Sequence, residues 1–369
     1  MRIKFELLFA VVLVTAQACD KQEPESEVQP QMATTQVSIE SVDPEIVTDK
    51  VEHDTDDPAI WINPEDPSES LILGTDKDSD GALYVFDLKG NIIEDKVVDD
   101  LERPNNVDVE YGLKLEGRPV DIAVVTERYT RKLRIYSLPD MKPIDNGGIA
   151  VFKGESGSGY RDPMGISLYK SPNSGSIYVV VGRKDGPTNG TYLWQYLLED
   201  DGDGEVKATL VRKFGDFSGK QEIESIAVDD ELGYVYYSDE GIGVRKYHAE
   251  PSRGNKQLAL FANDDFEQDQ EGISIYKVDK NTGYILVSDQ QNNRFHIFPR
   301  EGDNGDPHEH ELIKIVKVEA DDSDGSEITN VPLNDTFRSG LFVAMSTNRT
   351  FHYYSWNDIA GDDLQKAVY

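Results

Sequence analysis

The chain has 369 residues, 38% of them hydrophobic, and carries 70 acidic against 37 basic side chains for a formal charge of −33. That apolar content is enough for a packed core and excludes wholesale disorder. The charge repels nucleic acid and anionic membrane surfaces, and it repels an anionic substrate too unless cations sit between protein and substrate; an acidity that only maintains solubility is the alternative reading.

Residues 1–18 read as an export signal. Arg2 and Lys4 give a positive start, and 7–14 is an apolar run too short to span a bilayer. Ala16 and Ala18 then precede Cys19, the sole cysteine of the chain, so no internal disulfide is available. Cys19 fits the acylated first residue of a bacterial lipoprotein; ordinary signal cleavage beside an incidental cysteine is the alternative. Residues 19–45 form an acidic tether with Glu23, Glu25, Glu27, Pro24 and Pro30, a composition that buries no core. The folded domain is expected over 46–369. The expected location is the cell envelope, on the outer membrane or cell surface, touching lipid only through the anchor; a secreted or periplasmic protein is the alternative.

After the tether, helical periodicity is almost absent. Short apolar, β-branched and aromatic runs alternate with Gly, Asp and Asn turns. One unit recurs: 59–62, 71–74 and 82–86; then 165–169, 177–181 and 192–196; then 225–228, 234–237 and 243–247; then 272–276, 284–287 and 294–298. Two weaker copies lie at 107–111, 120–125 and 133–136, and at 328–331, 341–345 and 351–354. Six copies about 45–60 residues apart predict an all-β, six-bladed β-propeller, with a sandwich or irregular barrel as the alternative.

The repeat also locates a surface. Just after the second strand of each copy come Asp76-Lys77-Asp78, Glu127-Arg128, Arg183-Lys184-Asp185, Asp239-Glu240, Asp289-Gln290 and Thr347-Asn348-Arg349. In a closed propeller these positions share one end of the disc. Carboxylates also crowd the first strands: Asp54, Asp56 and Asp57; Asp108 after Asn105-Asn106; Glu222 and Glu224; Asp269 and Glu271. Packed acids repel, and a hard cation relieves them. Calcium, with six to eight oxygen ligands in flexible geometry, suits carboxylates drawn from several blades. Zinc is disfavoured, because His53, His248, His296, His308, His310 and His352 have no ligand spacing and the cysteine sits at the signal junction. His308 and His310 read as surface residues. Arg-His-Gly, cysteine-phosphatase, G-x-S-x-G, P-loop and G-x-G-x-x-G motifs are all missing.

The string Asp54-Thr55-Asp56-Asp57-Pro58-Ala59-Ile60-Trp61 and the string Asn105-Asn106-Val107-Asp108-Val109 resemble the two signatures of the β-propeller phytases, the calcium-dependent alkaline phytases of 3-phytase type. The likeness runs to about residue 356. It implies a six-bladed propeller that releases phosphate from phytate, with several calcium ions in a cleavage subsite and an adjoining affinity subsite. Carried across, the metal-binding acids are Asp56, Asp57, Glu224, Glu240, Asp269 and Glu271, with Asp322 or Asp324 supplying another ligand. Lys77, Arg128 and Lys184 match phosphate-binding cations, and Gln290 matches a polar contact. Glu224, Asp57, Arg128 and Lys77 are the expected catalytic group. Three positions depart from the family: Asp78 replaces a second Lys, Met164 replaces a Tyr, and Glu110 replaces an Arg. The partners implied are phytate, calcium-phytate and related inositol phosphates, taken by a monomer. Rival readings are a non-catalytic propeller binding anionic ligands, a single-metal lactonase-type propeller, and a purely structural protein.

Overall fold

The computed structural model describes residues 41–264, 266 and 269–368, so the signal, Cys19 and most of the tether lie outside the described residues. Six small antiparallel sheets follow one another along the chain. Their innermost strands are Thr55–Trp61, Pro104–Leu115, Pro163–Lys170, Ile226–Asp229, Gln270–Lys277 and Ser326–Thr329. Each neighbours the next, and the last returns to the first, which closes a six-bladed β-propeller. The repeat read from the sequence is therefore the blade.

Each strand alternates, so both faces of a blade can be apolar and are buried against the blades on either side. Between blades 2 and 3, for example, Ile122, Val124 and Ile135 pack with Ile166, Val179 and Trp194. Ring closure uses the start of the domain. Ile46–Val47 pairs with Thr350–Ser355 as the outermost strand of blade 6, and Ser41–Val42 joins the edge of blade 5 in parallel beside Lys314–Val318. Sheet pairing thus starts at Ser41, inside the stretch read as tether to residue 45. A five-residue helix, Trp356–Ala360, follows blade 6 and stacks Trp356 on Tyr276 at 3.9 Å between ring centroids.

Two features of the blades position the site. First, register shifts occur at one level of four inner strands: between Thr55 and Pro58, Pro104 and Val107, Pro163 and Ile166, and Gln270 and Ile273. A bulge opposes two residues to one and re-aims side chains. Each of these intervals holds residues flagged by the sequence: Asp56-Asp57, Asn105-Asn106, Met164 and Glu271. Second, the residue closing each second strand is buried and anchors the neighbouring loop, leaving the next residue free to enter the mouth. Asp76 accepts from the amides of His53 and Asp54 at 3.1 and 2.6 Å. Glu127 accepts from Glu102 N at 3.0 Å, and Asp239 from Ser218 N at 2.9 Å. Arg183, expected among the mouth cations, is instead fully buried over Phe152 at 4.1 Å and donates to the carbonyls of Tyr160 and Tyr192.

The histidines also differ from expectation in one place. His310 is buried, with its ring 4.4 Å from Phe261 and Nε2 3.2 Å from Lys246 Nζ, because the 301–313 loop folds back onto blade 4. His308 is half-buried beside Tyr234.

Candidate active site

The bulges and strand ends bring acids from three blades together. One oxygen from each of Asp56, Glu224 and Asp324 lies within 4.8 Å of the others, the one such group among the described residues. Close approach of the strands depends on glycine. A Cβ at Gly165 would collide with the Glu224 carbonyl, and one at Gly325 would lie 2.6 Å from the Asp56 carbonyl. Asn105 Nδ2 holds the second oxygen of Asp56 at 3.0 Å.

Cations interleave with this trio. Lys77 Nζ lies 2.5 Å from Asp56 Oδ1 and 3.3 Å from Asp324 Oδ2, where a positive ion would sit. Burial alone would lower the Lys77 pKa, but Asp56, Asp324 and Glu224 outweigh it and raise the ammonium above its ordinary range. Arg128 is buried, with NH2 3.9 Å from Glu224 Oε1 and in contact with the Met164 sulfur. Its Nε has no hydrogen-bond partner. Desolvation lowers the Arg128 pKa, and Glu224 opposes that effect. Gln290 donates to Asp324, and Lys184 pairs with Glu222.

A second acidic group adjoins the first. Glu240 and Glu271 are buried, and Glu240 Oε1 and Glu271 Oε2 have no hydrogen-bond partner. Asp269 is held by Gln221 and Gln291 at 2.5 and 2.8 Å. Burial first, and then Glu240, Glu224, Asp324 and Asp269, push Glu271 well above the usual carboxyl range. Burial also raises Glu240 to about 7, reinforced by Glu222 and Asp269. Asp324 rises to about 6 by burial and Asp56, against the pull of Lys77. Glu224 is raised well above its ordinary value by burial and Asp56. Buried carboxylates with unpaired oxygens and mutual repulsion form a donor set that fits a hard cation.

The structure places the remaining flagged residues as follows. Asp57 sits on the other side of the bulge from Asp56: its Oδ2 accepts from Val107 N at 3.1 Å, and it lines an axial cavity of about 320 Å³ below the mouth. Glu110 lines the same cavity with Asp108, Asp230 and Glu327, and burial and Asp230 raise it to about 8. Asp324, not Asp322, enters the trio; Asp322 takes a positive φ of 46° and its amide donates to Asn293 Oδ1 at 3.0 Å. Asp78 is half-buried, and its Oδ1 accepts from Asp80 N at 3.2 Å, capping the turn there. Sequence reading noted Glu222 and Asn105 without giving either a role in the site, and it passed over the two glycines as site-builders. Gly165 and Gly325, each beside a flagged residue, were the available signal.

A closed six-bladed propeller whose mouth interleaves carboxylates and cations defines a candidate metal-assisted, anion-binding centre. The family profile described as Phytase matches residues 8–366, and the chain belongs to that family. A 3-phytase of Bacillus subtilis (strain 168) is 30% identical over 335 residues, covering 85% of this chain and 83% of the relative. Two solved propellers are more distant. The Dos1 propeller is 10% identical with a TM-score of 0.41, over 82% of this chain and 67% of its own. The WD40 propeller domain of Doa1 is 13% identical with a TM-score of 0.45, over 80% and 77%. At that level they add nothing to the topology above.

Proposed function

We propose that this chain hydrolyses phosphate monoesters of phytate at the propeller mouth, with calcium held by the acidic groups. The observation that carries the proposal is the meeting of Asp56, Glu224 and Asp324 from three blades within 4.8 Å, laced by Lys77 and Arg128. Phytate is a dense polyanion and the chain carries −33. Metal ions here would be held by Asp56, Glu224 and Asp324, with Glu240, Asp269 and Glu271 beside them. When bound, calcium supplies the charge that neutralises these acids and the Lewis acidity that makes a water nucleophilic at moderate pH.

The chain's own groups do the rest. Lys77 and Arg128 donate charge-assisted hydrogen bonds to the phosphoryl oxygens as charge builds on them. Lys184 and Gln290 hold the flanking side of the mouth. Glu224, beside Arg128, receives a proton from the attacking water; the P–O bond to the inositol ring breaks, and the leaving oxygen is protonated from solvent at the open mouth. No protein nucleophile is involved, which agrees with the motifs missing from the sequence. Asp57 acts from below, fixing Val107 and hence the bulge that aims Asp56.

The test is phosphate release from phytate by wild type and Glu224→Gln. Loss of turnover in the variant by two orders of magnitude or more is expected; unchanged turnover sinks the assignment. The N-terminal reading belongs to the same proposal, with Cys19 as a lipid anchor that keeps the enzyme in the envelope. Metabolic labelling with a fatty acid should mark wild type and not Cys19→Ala. Among the described residues no helix is long and apolar enough to cross a membrane.

A further inference from the structure

One cation at the rim has no carboxylate in ion-pair contact among the described residues. Arg103 lies between the loops that carry Lys77 and Arg128. Its amide donates to Asp78 O at 2.8 Å and its carbonyl accepts from Arg128 N at 3.0 Å. These bonds hold it at φ 61°, a left-handed backbone that a long β-carbon-bearing residue takes up only when its surroundings impose it. Among the described residues no carboxylate lies within 4.0 Å of its guanidinium, in a chain where acids outnumber bases by nearly two to one. The group instead stacks at 5.9 Å from the ring centroid of Tyr129, which is 55% exposed, the most open aromatic among the described residues. The charge of Arg103 nevertheless reaches the site, since it acts on both Arg128 and Asp54.

A half-buried guanidinium braced by an aromatic face, and left unpaired beside two catalytic cations, is pre-oriented for an anion. We propose that Arg103, braced by Tyr129, grips a phosphate of the substrate other than the one being hydrolysed, and so selects polyphosphorylated over monophosphorylated esters. This rests on the phytate reading above. The planar fork matches a phosphate by two parallel hydrogen bonds, and the aromatic brace lowers the entropy lost on binding.

The test separates this assignment from hydrolysis itself. Binding of myo-inositol hexasulfate, a non-hydrolysable polyanion, is measured calorimetrically in calcium-containing buffer for wild type, Arg103→Gly, Arg103→Lys and Tyr129→Ala. Glycine suits the positive φ, so Arg103→Gly removes the cation without straining the turn. Its Kd should rise about tenfold, with the difference shrinking as salt increases. Tyr129→Ala should weaken binding about threefold, and Arg103→Lys, which keeps the charge but loses the planar fork and its stacking, should fall between wild type and Arg103→Gly. In parallel, the ratio of kcat/KM for phytate to that for an inositol monophosphate should fall about tenfold in Arg103→Gly. Equal Kd for wild type and Arg103→Gly, or an unchanged substrate ratio, overturns the assignment. Weaker hexasulfate binding by Arg103→Gly than by wild type, together with no phosphate release by wild type, supports the subsite and refutes the hydrolytic reading instead.

Discussion

Replacing Glu271 by Gln should stabilise the metal-free protein and weaken its response to calcium, two effects of opposite sign from one atom pair. Glu271 is 6% exposed, its Oε2 has no hydrogen-bond partner, and the groups that shift it most after burial are all acids. Its folded-state pKa is raised above the ordinary 4.5. A raised acid stabilises the fold only below its unfolded pKa, and that contribution is lost as pH rises toward the folded value. At pH 7 the metal-free fold must either take up a proton or bury a repelled charge, a penalty of up to about 3 kcal/mol. Gln removes that penalty but leaves its own amide short of partners, which costs about 1–2 kcal/mol. The net is a gain of at most about 2 kcal/mol, a rise of no more than roughly 4 °C in Tm for a domain of this size. Calcium at a hundredfold over Kd should stabilise wild type by about 2.7 kcal/mol, and loss of one ligand charge should cut that by about 1.4 kcal/mol. Scanning calorimetry in chelator and then in calcium reads both. A Glu271→Gln protein that melts below wild type in chelator, and gains as much from calcium, would refute the idea that these acids are held together against their repulsion for a cation.

Other outcomes follow from the same geometry. In chelator, wild-type stability should fall as pH rises from about 5 to 8, since Asp324 and Glu240, raised to about 6 and about 7, lose their protons over that window; a denaturant titration at each pH reads it, and saturating calcium should flatten the slope. Gly165→Ala should destabilise the protein by about 1–3 kcal/mol and lower calcium affinity, because the new methyl displaces the Glu224 backbone; isothermal titration with calcium checks it. Lys77→Met should lower kcat/KM for phytate by about a hundredfold, as one charge-assisted donor is lost from the mouth. Arg300 is fully buried and bonds both oxygens of Asp229 at 2.6 and 2.7 Å, so Arg300→Ala should cost about 3–5 kcal/mol in chemical denaturation while leaving kcat for phytate unchanged at temperatures where the fold survives.

Much of this was legible in the sequence because a propeller writes its blade as a period. Even the weaker copies at 107–136 and 328–354 fall on the strands of blades 2 and 6. Lys77, Arg128, Lys184, Glu240 and Gln290 were also legible, since each follows the end of a second strand and the blade repeat sets them at one level. What periodicity could not give was direction. Asp56 and Asp57 are adjacent, and only the bulge between Thr55 and Pro58 sends one to the mouth and the other to the axial cavity. Arg183 and Lys184 look alike in sequence, yet the first is buried over Phe152 and the second reaches Glu222. Asp324 displaces Asp322 because Asp322 is turned by its positive φ toward Asn293. His310 read as a loop residue, but a ring stacked on Phe261 is a tertiary contact with no local sequence signal.

The proposed hydrolysis depends on divalent cations held between blades at the mouth. Phosphate release from phytate should be measured after exhaustive chelation, then after adding back calcium, and in parallel with the Asp56→Asn, Glu224→Gln and Asp324→Asn proteins. Activity abolished by the chelator, restored by calcium in wild type and not restored in the three variants is the predicted result. Full turnover in excess chelator, or normal calcium rescue of all three variants, would contradict it.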